Sequence, residues 1–431
     1  MPRLSHALLL LAAMAGAASG AHAAERPNIV ILYADDMGYG DIGAYGHPTI
    51  RTPHLDRMVR EGLKFNHFYA VVSGCRPARA ALMTGRYPDR VDSSLLVSTG
   101  PCAPIPPHEL TLAQGLRSAG YVTGMSGKWH LQPPPAEAGF DHVFTAARDE
   151  NTTRRKTEAA LQFFRDHRDE PFFFYLPYYM PHVPLRASEA FRGASARGFY
   201  GDVIEELDWS AGRVMDELQR LGIADRTLVF FTSDHGPWLR EGLEGGSPGL
   251  LRQGKATTWE GGMRVPAIAW WPGRIEPGRV TLAFASTMDL YMTCLALAGA
   301  EPPADLIRDG IDLGSVLLEG EGAGNESMIY YHWNRRPLGD LPPRYPRQQW
   351  IGEAVIHAAR VGHWKAHFLT QDRQGAPRVT HDPPLLFHLG WDPSETTNLA
   401  GDHPEVIEQI RQYVERHVRE RDAEKARLGV R

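Results

Sequence analysis

The sequence predicts an α/β fold: a large, mostly parallel mixed sheet flanked by helices, followed by a small antiparallel sheet with one helix. Three observations carry this. Four short apolar runs between Asn28 and Thr232 alternate with helical patterns. Each run leads straight into charged or histidine residues, as strands do where an open α/β sheet presents its ligand crevice. After about Gly322 the runs become shorter and lie between loops rich in proline and arginine.

Composition bounds the problem. The chain has 431 residues, 43% of them hydrophobic, which is material for a large core and a smaller second domain. A net charge of −5 excludes general affinity for nucleic acid, so an anionic ligand must be met by local basic groups. Three cysteines give no disulfide framework. Cys102 and Cys294 could pair, and the sequence leaves that open.

The elements follow in order. Pro2-Arg3, an apolar run from Ala7 to Ala18 and Ala21-His22-Ala23 read as a secretory signal peptide cleaved near Ala23. The run is too short for a membrane anchor, so the protein is expected to be secreted or periplasmic. Buried parallel strands are expected at Asn28–Tyr33, Val122–Met125, Phe172–Leu176 and Thr227–Thr232. Helices are expected at Thr111–Ala119, Thr157–His167 and Val203–Leu221, the last with Ile204, Leu207, Val214, Leu218 and Leu221 on one face. In the final part, strands are expected at Ser327–Tyr331, Ala354–Val361, Trp364–Leu369 and Leu385–Leu389. A closing helix from about Pro404 to Lys425 carries an apolar stripe of Val406, Ile407, Ile410, Tyr413, Val414 and Val418 and a charged opposite face. The domains are therefore 1–23, 24–322 and 323–431.

The four early strands end in chemistry. The first runs into Asp35-Asp36, and Gly38, Gly40 and Gly43 then permit a loop that hugs a ligand. Adjacent buried carboxylates are costly unless a cation balances them. Asp234 ends another strand in the same way, and three carboxylates suit a hard cation such as Ca²⁺ or Mg²⁺. His235 beside it adds an imidazole donor, which brings Mn²⁺ or Zn²⁺ into range. Lys128 and His130 are an i, i+2 pair that could face one side; they offer a point charge for an anion and a base of near-neutral pKa. His182 stands between Pro181 and Pro184, which hold its backbone. Cys75 opens a helix whose first turn tolerates Pro77 and whose body is Ala80, Ala81, Leu82 and Met83, a position that favours an anion.

The string Cys75-Arg76-Pro77-Ala78-Arg79-Ala80-Ala81-Leu82-Met83-Thr84-Gly85-Arg86 resembles the signature of type I sulfatases, with Ala78 where that family usually has Ser. Gly127-Lys128-Trp129-His130-Leu131, Pro181-His182-Val183-Pro184 and Gly254–Pro266 resemble its other signatures. The likeness spans nearly the whole mature chain and is nearest the branch holding arylsulfatase A and N-acetylgalactosamine-6-sulfatase. It implies an alkaline-phosphatase-like sandwich and hydrolysis of sulfate monoesters, on a carbohydrate such as a sulfated galactose or N-acetylgalactosamine unit. It implies that Cys75 is oxidised to formylglycine by a formylglycine-generating or equivalent maturation enzyme, the aldehyde hydrate being the nucleophile. It implies Ca²⁺ held by Asp35, Asp36, Asp234 and His235 together with the converted Cys75, where most of the family has Asn in place of His235. By the same resemblance Lys128, His182 and Lys255 contact the sulfate, His130 serves the hydrate, His182 protonates the leaving oxygen, and Arg79 holds the hydrate or the metal-site carboxylates. Glu260 and Arg264 read as a structural ion pair. Trp238 and the His332-Trp333-Asn334-Arg335-Arg336 segment could meet a sugar; equally, Trp333 could pack between domains and Arg335 face solvent. Two alternatives remain: a phosphonate or phosphate monoester hydrolase on the same fold, and a sulfate-ester binding protein whose Cys75 is never converted.

Overall fold

The computed structural model describes residues 26–96, 104–145, 148–320, 322, 324–331 and 356–430. The leader, Cys102, Trp333, Arg335 and Arg336 lie outside the described residues. Among the described residues no helix is long and apolar enough to cross a membrane.

Among the described residues fourteen strands form three sheets: β1 Asn28–Ala34, β2 Leu63–Phe65, β3 Phe68–Tyr69, β4 Val122–Ser126, β5 His142–Phe144, β6 Phe172–Pro177, β7 Thr227–Ser233, β8 Ala267–Trp270, β9 Arg279–Thr281, β10 Ala285–Ser286, β11 Ser327–Tyr331, β12 Ile356–Val361, β13 Trp364–Thr370 and β14 Val379–His388. The main sheet has the order β5-β4-β6-β1-β7-β8-β2-β9, and β8 runs against its neighbours β7 and β2. The four expected strands are its contiguous parallel centre, β4-β6-β1-β7. β1 is buried over its whole length, which explains its unbroken apolar reading.

Side chains alternate across this sheet. Ile29, Ile31 and Tyr33 face a core shared with the helices Cys75–Thr84, Leu112–Ser118 and Thr287–Ala298. Val30 and Leu32 face a core shared with Pro53–Glu61, Thr152–Asp166 and Phe199–Arg220. The architecture is the alkaline-phosphatase-like sandwich that the sequence resemblance implies.

Register sets the functional edge. Ala34 pairs with Ser233, Tyr33 with Pro177 and Met125 with Tyr175, so the carboxyl ends of the four central strands are level. Pairing continues one step past them: Asp234 N–H donates to Ala34 O at 3.0 Å, and Lys128 N–H donates to Pro177 O at 2.8 Å. Gly127 makes the second approach possible. Its φ is +149°, and a Cβ there would lie 1.8 Å from the Pro177 oxygen.

Several boundaries differ from expectation. The helix expected from Thr157 begins at Thr152, because Thr152 to Lys156 carry no apolar repeat. The next helix begins at Phe199, where Gly201 sits so close to Ser195 Oγ that a Cβ would lie 2.2 Å away. The shorter strands of the main sheet have three or four residues, too few for periodicity to register. The final sheet is antiparallel, β11-β12-β13-β14. β14 begins at Val379 rather than Leu385 because its first half is largely exposed and polar. The closing helix, Pro404–Leu428, departs most. Its buried face starts with Ile407 and Ile410 but continues as His417, Arg421 and Glu424.

Candidate active site

Every strand end named in the sequence reading opens on one buried pocket at the carboxyl edge of β4, β6, β1 and β7. Asp35, Asp36, Cys75 and His235 offer ligand atoms within 4.8 Å of one another. Cys75 is the first residue of its helix, and its Sγ lies 3.3 Å from His235 Nε2, 3.7 Å from Lys255 Nζ and 3.9 Å from Asp36 Oδ1. Burial pushes the thiol's pKa up and the Asp35 charge adds to it. An unconverted Cys75 therefore stays a neutral thiol at neutral pH, a poor nucleophile.

Each carboxylate has its own cation. Lys128 Nζ bonds Asp35 Oδ2 at 2.5 Å. Lys255 Nζ bonds both oxygens of Asp36 at 2.7 Å. Arg79 Nη2 bonds Asp234 Oδ2 at 3.0 Å and lies 3.6 Å from Asp35 Oδ1, while its Nη1 donates to Lys128 O at 2.9 Å. Arg79 thus ties the carboxylates to the Lys128 loop, the second of the two roles considered for it. Burial alone would raise the Asp35 pKa; the Lys128 and Arg79 charges outweigh it and hold the carboxyl well below its usual range. For Asp234 burial prevails and the pKa is raised.

The donor set fits a divalent cation. Asp35 Oδ1 is buried with no hydrogen-bond partner among the described residues. His235 Nδ1 lies 3.0 Å from Gly236 O, which assigns the proton to that nitrogen and leaves Nε2 bare. That bare nitrogen is 3.3 Å from Asp36 Oδ1 and 3.5 Å from Asp234 Oδ1. Asp234 stands slightly apart from the tight cluster, engaged by Arg79 and by the Asp36 N–H at 3.0 Å.

The histidines divide by environment. His182 Nδ1 lies 2.6 Å from Val183 O, and Nε2 faces Asp36 Oδ2 at 3.9 Å. His130 has φ +60° and a buried Nδ1 without a hydrogen-bond partner among the described residues. Its pKa is not near neutral: burial, with the charges of Lys128, Arg79 and Arg76, brings it down to about 3. His130 is therefore a neutral imidazole, a proton acceptor rather than a donor at neutral pH. Trp238 lies beside the pocket, with the Lys255 ammonium 4.2 Å from its ring centre and His182 at 5.4 Å.

The Glu260–Arg264 pair is present but long, at 3.9 Å. Glu260 is bound more closely by Lys365 at 2.9 Å and by the Tyr69 hydroxyl at 2.7 Å. Sequence reasoning missed that Lys365, as it missed Tyr175, whose hydroxyl sits 3.5 Å from Arg79 Nη1. It also missed Gln374, whose Oε1 accepts from Trp238 Nε1 at 3.2 Å across the β13–β14 loop. No local pattern marks any of these three, since each is brought in by tertiary contact. Cys294 is a free buried thiol.

A family model described as Sulfatase matches residues 27–300, and one described as the C-terminal region of aryl-sulfatase matches residues 324–429. Arylsulfatase A of Homo sapiens is 37% identical over 475 residues, covering 94% of this chain and 89% of that protein. N-acetylgalactosamine-6-sulfatase of Homo sapiens is 38% identical, covering 93% of this chain and 87% of that protein. Among solved structures, the PsFucS1 sulfatase from Pseudoalteromonas sp. superposes with a TM-score of 0.80 at 25% identity, covering 93% of this chain and 91% of that one.

Proposed function

The chain belongs to the sulfatase family and is a sulfuric ester hydrolase, and on that premise we propose that it cleaves sulfate monoesters of a carbohydrate at the Cys75 pocket. The observation that carries this reading is the convergence of Cys75 with three carboxylates, a bare imidazole nitrogen and two lysines in one buried site. We read the substrate as a sulfated galactose or N-acetylgalactosamine unit, the second in keeping with the name of a relative.

Asp35, Asp36, Asp234 and His235 would hold the cation, read here as Ca²⁺, with Mg²⁺ or Mn²⁺ as less favoured occupants. When bound, such a cation supplies positive charge against the sulfate oxygens, and the formylglycine made from Cys75 by a maturation enzyme supplies the attacking hydroxyl. The remaining work falls to the side chains. Lys128 and Lys255 bind and orient the sulfate through their ammonium groups. Arg79 keeps the Asp35 and Asp234 carboxylates in register. His130, neutral in its site, accepts a proton at its nitrogen. His182 presents Nε2 to the leaving oxygen and donates the proton that the departing alkoxide needs. Trp238 gives a ring face for the sugar. The leader residues 1–23 are read as an export signal, placing the protein outside the cytoplasm or in a periplasm; residues 24–322 are read as the catalytic domain and 323–431 as the small second domain.

The test joins mass analysis of the Cys75 peptide to rates on matched aryl sulfate and aryl phosphate esters, before and after chelation. Conversion of Cys75, preference for sulfate and recovery of activity with Ca²⁺ are the expected results. A fully active protein with unconverted Cys75, or one indifferent to complete metal removal, removes the reading. His235 favours a second reading, phosphate or phosphonate ester hydrolysis, because the phosphonate monoester hydrolases of the same superfamily resemble this chain in carrying histidine at that place. His235→Asn should keep sulfatase activity with Ca²⁺; a variant that gains sulfate over phosphate preference would show that the imidazole sets the choice.

A further inference from the structure

Beside His182 lies a patch of positive charge that hydrolysis at Cys75 does not use. Arg148 is exposed, and its Nη2 donates to the carbonyls of His182 and Val183, each at 3.3 Å. Its guanidinium lies 5.2 Å from the centre of the Tyr179 ring. Lys156, from the Thr152–Asp166 helix, brings its ammonium to 5.2 Å from the same ring centre. Two cations therefore share one aromatic ring.

Lys156 is the telling member. The residue is 2% exposed, its ammonium just reaches solvent, and among the described residues that ammonium has no carboxylate and no hydrogen-bond acceptor. Burial, with the Arg155 charge adding to it, lowers its pKa to about 8. The acids on its own helix and the preceding turn are engaged elsewhere: Asp149 pairs with Arg155, and Glu158 with Arg213 at 3.2 Å. A ring face returns about 0.5–2 kcal/mol to a cation, whereas burying an ammonium costs several kcal/mol unless an anion meets it. The second cation on the ring increases the deficit. A buried charge kept at a stability cost next to a crevice is a mark of a binding site.

We propose that Arg148, Lys156 and Tyr179 form a second anion subsite, which reads a carboxylate or an additional sulfate on the carbohydrate whose ester is cleaved at Cys75. Arg148 is its exposed part and Lys156 its buried part. The inference rests on the sulfatase reading for the identity of the carbohydrate, but not for the existence of the subsite. Its consequence is selectivity for substrates carrying at least two negative groups.

The test uses the full chain and four probes: 4-nitrophenyl sulfate, a monosulfated disaccharide, its disulfated counterpart and its uronic-acid counterpart. Arg148→Ala and Lys156→Met should each lower kcat/KM for a doubly anionic probe about tenfold more than for the two singly charged ones, chiefly through KM, the size of one charge-assisted hydrogen bond. Loss on the disulfated probe alone assigns a sulfate, loss on the uronic-acid probe alone a carboxylate, and loss on both a general anion subsite. Because Arg148 touches the His182 carbonyl, its replacement could also shift that histidine; Lys156→Met makes no such contact and decides the matter. Lys156→Met should also melt no lower than the parent, since it keeps the packed stem and removes a charge that has no counter-ion. Equal loss on all four probes, or no loss, overturns the subsite. A parent inactive on every probe overturns the hydrolysis reading instead, and calorimetric titration of the disulfated probe into the parent and Lys156→Met then tests the subsite alone, equal affinities overturning it.

Discussion

Two regions of this molecule bury the same kinds of charge and do different things with them. In the crevice, Asp35, Asp36 and Asp234 face Lys128, Lys255 and Arg79. At the seam with the closing helix, Glu109, Glu424, Asp309 and Asp89 face Arg86, Arg90, Arg308, Arg421 and Lys425. The seam spends every carboxylate oxygen. Glu424 Oε2 takes Arg86 and Arg90 while Oε1 takes the Ile307 N–H at 2.8 Å. Glu109 divides its oxygens between Arg86 and Arg308, and Asp309 gives both of its own to Arg90. Its unpartnered atoms are guanidinium nitrogens, of Arg86 and Arg308. The crevice also leaves a guanidinium nitrogen unpartnered, Arg79 Nε, but unlike the seam it leaves acceptors open as well, at Asp35 Oδ1 and His130 Nδ1, with His235 Nε2 turned toward the acids. Open acceptors are what a cation or a proton needs. Buried charge by itself does not mark a site; open acceptors that converge with other ligand atoms within 4.8 Å do.

This contrast is broken most strongly at Cys75. Cys75→Ala should lower turnover by at least about 10³-fold, as loss of a nucleophile does, while the unfolding midpoint stays close to the parent's. Rate and denaturation measurements on one preparation check it, and parent-like hydrolysis by this variant would refute the assigned nucleophile.

At the seam the effect should reverse. Glu424→Gln leaves Arg86 and Arg90 short of a counter-charge, which costs about 3–5 kcal/mol. The folded fraction should hydrolyse aryl sulfate at the parent's rate. Denaturant unfolding with activity per folded molecule distinguishes this from a catalytic role.

Glu260 lies between the regions, joined to Lys365 of β13 and five residues from Lys255. Burial would raise its pKa, but Lys365, Arg264 and Arg360 bring it down to about 2. A carboxyl lower in the folded than in the unfolded chain stabilises above the unfolded pKa. Its contribution, roughly 3 kcal/mol at most, is lost as pH falls from about 4.5 toward 2. Glu260→Gln should therefore be less stable than the parent at pH 6 and should lose stability less steeply over that acid range. An unchanged acid slope would show that the ion pair does not carry this dependence.

His182 sharpens the comparison within the crevice itself. A nitrophenolate leaves with little protonation, whereas a sugar alkoxide needs much. His182→Ala should lower rates on a sugar sulfate about 10²-fold more than on an aryl sulfate, whereas His130→Ala should lower both alike. Equal losses for His182→Ala would make it a sulfate-binding residue only.

Legibility followed chain locality. The strand ends at Asp35-Asp36, Lys128–His130, His182 and Asp234-His235 are contiguous with apolar runs, so both the sheet centre and the crevice could be read from pattern. The closing helix misled because its charged residues were assigned to solvent. Arg421 and Glu424 instead continue the buried face of Ile407 and Ile410, and only their partners Asp89 and Arg86, more than three hundred residues away in sequence, make that burial affordable. Lys365 and Gln374 were invisible for the same reason.

The sequence by itself determined the α/β order, the parallel centre and which strand-end side chains gather at the crevice, because hydrophobic period and local motif act within a few residues of one another. Only the tertiary structure decided the protonation and pairing of those groups. Whether His130 is near neutral or down at about 3, whether Asp35 keeps an open oxygen, and whether Lys156 lacks a counter-charge depend on burial and on charges from distant segments. Coulomb energy and desolvation act through space, and chain order does not encode the distances on which they depend.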